Sequence, residues 1–463
     1  MFYLIIVLFI IGYVAIALEY KLPVDKAAIA LATAALLWIF IAFGGEEIYA
    51  ALPSYQMYLQ THPDATVMEF VTRHELIGHL GRISELLFFL LGTITIVKII
   101  DTHGGFSMLS KIIKTTDKVK LFWIFSFLTF FMSAVFDNLT TTIVMITLMW
   151  KLVSGENTRW YFASMIVIAA NAGGAWSPLG DITTIMLWVG GQVSVWSIIL
   201  QLFVPGLICM LVPLIFLSLG MKGLTVPSSR SDRAKSQMPT TNRERWIILL
   251  SGTGGLLFVP VFKSITHLPP FIGVLLVLSV MWIMIGILHR KKEKEHRISL
   301  TLTEILKKDD MPTIFFLLGI LLAVAGLESA GHLNVLGQFL DEKVRNVYAI
   351  NIVVGALSSV MDNVSLVAGL MGTYPVVSPD ALAAISDPAQ VTYLKHFAQD
   401  GVFWEMLAYC AGTGGSILII GSAAGVAAMG LAKIDFMWYM KKISLLAIAG
   451  YLSGAAAYFL IVR

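Results

Sequence analysis

The chain has 463 residues, of which 57% are hydrophobic and 13% charged, and its mean hydropathy is +0.83. Soluble proteins carry about a quarter charged residues, so the composition predicts an integral membrane protein and excludes an ordinary soluble globular protein. The net charge is only +3 and the basic residues are confined to a few loops, which gives no case for nucleic-acid binding.

Twelve apolar segments follow one another along the chain, and each is a predicted membrane element, because about 20 apolar residues span the hydrocarbon core. The first has no basic region before it, which favours a transmembrane helix over a signal peptide. The segments lie near 2–18, 26–43, 84–102, 121–152, 160–190, 196–220, 246–264, 269–289, 311–328, 347–373, 402–432 and 436–461.

Four of these segments differ from a simple span. Segments 121–152 and 347–373 each carry an Asp-Asn pair near the middle and are predicted to be re-entrant hairpins. Segments 160–190 and 402–432 are too long for one span and contain glycine-rich stretches, which predict interrupted transmembrane helices. The predicted fold is an all-α polytopic membrane protein with two hairpins and two broken helices.

The charged loops predict the orientation of the chain. Loops 222–245 and 290–297 are rich in Lys and Arg, as is the stretch 111–120, and the positive-inside rule places all three in the cytoplasm. Loops 44–83 and 374–401 hold fewer basic residues and are predicted to be external. If both hairpins return to their own side, every charged loop falls where the rule requires.

Two predicted spans are alike in sequence but opposite in predicted direction. Residues 88–92 read FFLLG, and residues 315–319 repeat these five letters 227 positions later. Short apolar matches also arise by chance, but further matches in the same order favour an inverted repeat, the usual build of secondary transporters. The predicted organisation is N-terminal helices with an external loop at 1–83, repeat 1 at 84–220, connecting helices and cytoplasmic loops at 221–310, and repeat 2 at 311–463.

The two hairpin tips are the first candidate ion-binding elements. Asp137 and Asn138 recur 225 residues later as Asp362 and Asn363, and the serines Ser133 and Ser358 precede them at matching positions. A carboxylate inside a bilayer costs about 2.5–3.5 kcal/mol, so it is a functional-site candidate by default. Such a group holds a proton or a small hard cation, and that competition produces exchange. Helix capping by Asp or Asn is the simpler alternative.

The two glycine-rich breaks are the second candidate elements. Each has a Gly-Gly pair followed six residues later by another glycine, within 171–184 and 411–422. Unwound backbone at membrane depth survives only against protein or a water-filled cavity, where its carbonyls become cation ligands. A close crossing of small-residue helices is the alternative. Polar candidates beside the breaks are Asn171, Asp181, Thr183, Thr184, Thr413, Ser416 and Ser422, with Glu85 on another span as either a site or a surface residue.

Together, the two tips and the two breaks resemble the NhaD family of sodium/proton antiporters, within the ion transporter superfamily. The resemblance covers about residue 80 to the end. It implies export of Na⁺ and Li⁺ against proton uptake, most active at alkaline pH, by a homodimer of scaffold and transport domains without cofactors. It implies a role in pH homeostasis in a bacterial-type inner membrane.

The same resemblance assigns transport-site roles to individual polar residues. These are Ser133, Asp137, Asn138, Asn171, Asp181, Thr183, Thr184, Ser358, Asp362, Asn363, Ser416 and, less directly, Glu85.

Two other functions stay open. A sodium-coupled anion transporter of the dicarboxylate or arsenite type shares the superfamily, although an aspartate at each tip would repel an anion. A membrane enzyme or structural protein is the third reading, but the sequence offers no nucleophile–base pair and no cluster with metal-ligand spacing. The predicted protein is a transporter and not an enzyme.

Overall fold

The computed structural model describes residues 2–17, 24–49, 53–108, 113, 115–221, 240–290, 311–333, 335, 346–361 and 363–462. Within these ranges the chain is α-helical with short turns, and one β-bridge pairs Val377 with Ala398. Much of the basic loop sequence and the predicted site residue Asp362 lie outside the described residues.

The helices are numbered in chain order. The first eleven are α1 (Phe2–Ala17), α2 (Lys26–Phe43), α3 (Gly45–Tyr49), α4 (Pro53–Thr61), α5 (Val67–Glu69), α6 (Leu76–Thr102), α7 (Lys118–Phe136), α8 (Asn138–Leu152), α9 (Glu156–Ala175), α10 (Ile182–Val189) and α11 (Val195–Leu219). A π-helical turn, Phe70–Glu75, joins α5 to α6, so Val67–Thr102 is one continuous helical stretch. A 3₁₀ turn follows at Gly105–Met108.

The remaining helices continue in the same order. They are α12 (Asn242–Thr266), α13 (Pro270–Leu288), α14 (Met311–Ser329), α15 (Val347–Leu357), α16 (Asn363–Thr373), α17 (Pro379–Ala383), α18 (Pro388–Leu394), α19 (Val402–Gly414), α20 (Ala423–Ala432), α21 (Phe436–Lys442) and α22 (Ser444–Val462). A 3₁₀ turn at Lys395–Phe397 follows α18.

Eight helical stretches among the described residues are long and apolar enough to cross a membrane. They are α2, the stretch Val67–Thr102, α7, α11, α12, α13, α14 and α22. This confirms the prediction of a polytopic helical membrane protein. The four-part organisation of the chain stays a prediction.

The chain divides into two compact units, and the first comprises Met1–Leu91, Asp310–Asn346 and Val364–Pro375. Its core is the packing of α2 along α14. Gly319 faces the backbone of Ala30, where a Cβ atom would lie 2.6 Å from the carbonyl carbon, and the Trp38 indole donates a 2.9 Å hydrogen bond to the carbonyl of Leu322. Small residues thus bring two membrane helices close together.

The second unit comprises Gly92–Asp309, Val347–Asn363 and Val376–Arg463. Here α22 packs closely along α11 through two glycines. A Cβ atom on Gly450 would lie 2.4 Å from the carbonyl oxygen of Cys209, and one on Gly454 would lie 2.5 Å from that of Pro205. Within this unit lie the first predicted hairpin, the first arm of the second predicted hairpin up to Asn363, and both predicted broken helices.

Each of these four elements is interrupted near the predicted position. α7 ends and α8 begins at Asp137, whose φ of 66° and ψ of 161° lie outside helical geometry. α9 stops at Ala175 and α10 starts at Ile182, while α19 stops at Gly414 and α20 starts at Ala423. The first turn of each resumed helix leaves backbone N–H groups that need partners.

The two hairpin and broken-helix pairs repeat the same backbone contacts. A Cβ atom on Gly173 would lie 2.2 Å from the carbonyl oxygen of Phe130, and one on Gly414 would lie 2.0 Å from that of Gly355. The hairpin positions differ by 225 residues and the broken-helix positions by 241. The inverted direction of the repeat and the re-entrant path of the hairpins stay predictions.

Candidate functional site

A buried polar network joins the first hairpin tip to both breaks in the second unit. Its centre is Asp181, which is 2% exposed and sits at the N-cap of α10. The Oδ2 atom of Asp181 accepts a 3.0 Å hydrogen bond from Nδ2 of Asn138 and a 3.5 Å hydrogen bond from Nδ2 of Asn363. One carboxylate oxygen therefore receives amide groups from both predicted hairpin tips.

The other carboxylate oxygen of Asp181 is used by the backbone. Its Oδ1 atom accepts from the N–H of Thr183 at 3.3 Å, while the Thr184 hydroxyl donates to the Asp181 carbonyl at 2.9 Å. These contacts cap the resumed helix and fix the carboxylate at the break. A negative charge at a helix N-terminus is also stabilised by the helix dipole.

Asn171, on α9, connects the network to the second break. Its Oδ1 atom accepts from Nδ2 of Asn138 at 3.0 Å, and its Nδ2 atom donates to the hydroxyls of Ser416 and Ser422, both at 2.9 Å. Ser422 is the N-cap of α20 and accepts from the Gly425 N–H. The side chain of Asn171 is fully buried, and its three hydrogen bonds fix its position.

Asp137 occupies a different position from Asp181. Its Oδ1 atom accepts from the N–H of Thr140 and its Oδ2 atom from the Thr140 hydroxyl, both at 2.8 Å. The capping considered from the sequence is therefore present. Capping leaves lone pairs on both oxygens and so coexists with ion binding.

Three threonine hydroxyls near the tip and the break are buried without a hydrogen-bond partner among the described residues. They belong to Thr141 and Thr142, in the first turns of α8, and to Thr183, in the first turn of α10. Buried polar groups are normally paired, so each of these oxygens is available to an additional ligand or water. Thr183 is one of the candidate residues at the first break. Thr141 and Thr142 follow Asp137 and Asn138 at the first hairpin tip.

Other predicted residues fasten the elements together. The Ser133 hydroxyl donates to the Ala170 carbonyl at 2.6 Å, and the Ser358 hydroxyl donates to the Ala411 carbonyl at 2.8 Å. The Thr413 hydroxyl donates to the Tyr409 carbonyl one turn earlier on α19. The two serines therefore connect each hairpin to its broken helix, while Thr413 bonds within its own helix α19.

Two predictions fall outside this network. Glu85 lies in the first unit, half-buried on α6, and Asp362 lies outside the described residues. The sequence did not single out Tyr439, whose hydroxyl donates to the Ser416 carbonyl at 2.7 Å. Tyr439 carries no motif signal, because a tyrosine near a membrane helix end is ordinary.

The chemistry of the network is that of hard oxygen ligands around one buried carboxylate. Carboxylate, amide and hydroxyl oxygens suit small hard cations. Among the described residues, no group of three or more His, Cys, Asp or Glu side chains could hold a metal ion.

Comparison with known proteins gives one family and several relatives. Residues 6–387 match the citrate transporter family, CitMHS. The chain is 40% identical to sodium/proton antiporter 1 of Arabidopsis thaliana over 451 residues, which are 97% of this chain and 71% of that protein. Antiporter 2 of the same plant is 39% identical over 457 residues, 97% of each chain.

A bacterial relative is similar over nearly the same length. The Na⁺/H⁺ antiporter NhaD of Vibrio cholerae is 31% identical over 469 residues, 95% of this chain and 87% of that protein. These relatives confirm the resemblance to NhaD-type antiporters found in the motifs, and they confirm that the protein is a transporter and not an enzyme.

Proposed function

We propose that this chain, which belongs to the citrate transporter family CitMHS, exchanges cytoplasmic Na⁺ or Li⁺ for external protons. The observation that carries the proposal is the Asp181 carboxylate, buried between the two breaks and held by amides of both hairpin tips. The names of the antiporter relatives support Na⁺ and protons as the exchanged ions.

Exchange follows from competition at one carboxylate. Na⁺ binds the ionised form of Asp181 and uses nearby carbonyl, amide and hydroxyl oxygens, of which Thr183 is closest along the chain. A proton neutralises the same oxygen and removes its attraction for the cation. The amide hydrogens of Asn138 and Asn363 occupy Oδ2 of Asp181, so a cation there must displace these donors or make the amides rotate.

The tip aspartates complete the proposed set of ion- and proton-binding groups. Asp137 is paired with Thr140 at the start of α8, and Asp362 is its predicted counterpart. The two breaks are linked by the hydrogen bonds of Asn171 to Ser416 and Ser422. Ion binding at one break is therefore coupled to the structure of the other. The proposed protein is a homodimer with an inverted repeat, in a bacterial-type plasma membrane.

An anion transporter is the competing function, because the family takes its name from citrate. A buried carboxylate at the centre of the network repels a multivalent anion. The site chemistry therefore favours the cation.

The test uses purified protein in liposomes with an imposed pH gradient, acid inside. We expect Na⁺ and Li⁺ added outside to relieve the gradient, with the membrane potential both free and clamped, and citrate to have no such effect. Relief by citrate but by neither cation would replace the antiporter with an anion transporter.

A further inference from the structure

We propose that Glu405 collects protons on the external side and delivers them into the exchange cycle. The inference rests on the proposed function and extends it to a residue outside the hairpin tips and breaks. Glu405 lies in the first turns of α19, the first part of the second broken helix, and is 3% exposed.

Two hydroxyl groups from two other helices hold the Glu405 carboxylate. Ser197, near the start of α11, donates a hydrogen bond to Oε1, and Tyr458, near the end of α22, donates to Oε2 at 2.6 Å. Among the described residues no Lys, Arg or His forms an ion pair with Glu405. A buried carboxylate with only neutral partners is poised to exchange a proton rather than to anchor a cation.

The three elements around Glu405 agree on its side of the membrane. The start of α11, the start of α19 and the end of α22 all lie externally in the topology predicted from the charged loops. Asp400 borders the cluster at this end, and its Oδ1 atom accepts from the Ser194 N–H. The carboxylate is thus one to two helical turns inside the predicted external surface.

The site can change its protonation state without losing hydrogen bonds. When a proton from external water forms an O–H bond at Oε1, the Ser197 hydroxyl rotates from donor to acceptor, and Tyr458 continues to donate to Oε2. Deprotonation reverses the rotation. The titratable groups facing the cluster are Tyr458 and Tyr348, with Cys410 on α19 and Asp400 at its start.

Helix α19 connects this cluster to the transport site. From Glu405 to Gly414, where the helix ends, the rise is about 14 Å. Tyr409 and Thr413 follow at four-residue spacing on one face, and both are buried. Ser416, just beyond, bonds Asn171. A charge change at Glu405 therefore occurs on the element that contacts the proposed site.

The test replaces Glu405 with Gln. The amide keeps one oxygen and places an NH₂ group where the other oxygen was, and it does not titrate. Right-side-out membrane vesicles containing the whole chain are loaded with Na⁺, and Na⁺ efflux is followed while the pH of the medium is varied. We expect the Glu405→Gln deficit to grow as external pH rises, because proton collection becomes limiting, and to shrink in acid medium. Glu405→Asp should retain more activity at high pH.

The matched control is Glu156→Gln, an exposed acid in the first turn of the other broken helix, which should behave like the wild type. Equal activity of Glu405→Gln and wild type at every pH overturns the inference. So does an equal fractional loss at every pH, which marks a structural role. Absence of Na⁺ efflux driven by protons in the wild type defeats the proposed function instead.

A second variant decides the matter if Glu405→Gln does not fold. Tyr458→Phe removes one donor to the ionised carboxylate, so proton binding at Glu405 is favoured and the external-pH midpoint of efflux should move to higher pH. A lowered maximal rate with an unchanged midpoint overturns the inference.

Discussion

The two halves of the second unit share a backbone arrangement but carry different charges. In the first half, α7 to α10, the capping residue of the resumed helix is Asp181, and the buried residue before the break is Asn171. In the second half, which holds α15, α19 and α20, the residues 241 positions later are Ser422 and Gly412. The repeated backbone supplies the geometry, while the asymmetric side chains place a carboxylate at Asp181 and a hydroxyl at Ser422.

Nearer the predicted membrane surface, the second half carries the acidic residue and the first half carries a serine. Glu405 in α19 corresponds, at the same spacing, to Ser164 in α9, and both are buried. An exact duplication would place like charges at equivalent buried positions, where they would raise the desolvation cost together. Apart from the tip aspartates, which recur, the two halves divide their buried acidic groups: Asp181 lies at the centre and Glu405 at one end.

The largest expected effect tests the shared backbone. Gly173→Ala and Gly414→Ala each place a Cβ atom well inside van der Waals contact with a facing carbonyl oxygen, at 2.2 and 2.0 Å. We expect both variants to lose folded, monodisperse protein in size-exclusion chromatography. Gly430→Ala, which meets nothing within 4 Å, is the control and should be normal. Normal yield and stability in either core variant would break the comparison.

The next effect tests the asymmetric charge. Asp181→Asn should lower sodium-driven proton movement by at least about 100-fold, as when a charged group's interaction worth about 3 kcal/mol is removed. Ser422→Ala, the equivalent cap in the other half, should lower it by about tenfold or less. Liposome assays at matched protein content compare them, and equal effects of the two changes would remove the distinction between the halves.

A smaller effect is expected at the link between the halves. Asn171→Ala removes the amide that joins Asn138 to Ser416 and Ser422. Since a neutral hydrogen bond contributes about 1 kcal/mol, we expect the Na⁺ concentration for half-maximal exchange to rise about fivefold. An unchanged Na⁺ dependence in transport assays would show that the link does not act in binding.

The smallest effect is expected at the equivalent serines, Ser133 and Ser358, that bond each hairpin to its broken helix. Ser133→Ala and Ser358→Ala each remove one hydroxyl bond from a hairpin to its broken helix, so each should destabilise the protein by about 1 kcal/mol. Thermal unfolding in detergent should show two similar decreases in Tm. A large decrease in only one variant would mean that the two halves are not fastened alike.

The sequence predicted the positions of the breaks better than the arrangement of the acids. Glycine pairs and Asp-Asn tips mark where helices stop, because local backbone freedom and capping decide it. The sequence placed Asp137 and Asp362 at the centre, with Asp181 as a further carboxylate. In the structure the side chain of Asp137 turns to Thr140, while that of Asp181 meets the tip amides. Those contacts depend on packing between distant segments.

Glu405 shows the same limit more sharply. It stands alone in an apolar segment, and the equivalent residue of the repeat is a serine, so no repeated motif marks it in the sequence. Its two partners lie 208 and 53 residues away along the chain. Only the assembled helices reveal a hydroxyl-lined carboxylate, because the chain separation of its ligands hides the cluster.

The most direct test of the central claim measures protons released when purified protein binds Na⁺ in weakly buffered detergent solution. If Na⁺ and a proton compete at Asp181, the wild type should release protons on Na⁺ addition, and Asp181→Asn should release fewer or none. The release should saturate with Na⁺ and should require more Na⁺ at lower pH. Equal release from Asp181→Asn and wild type would contradict the account.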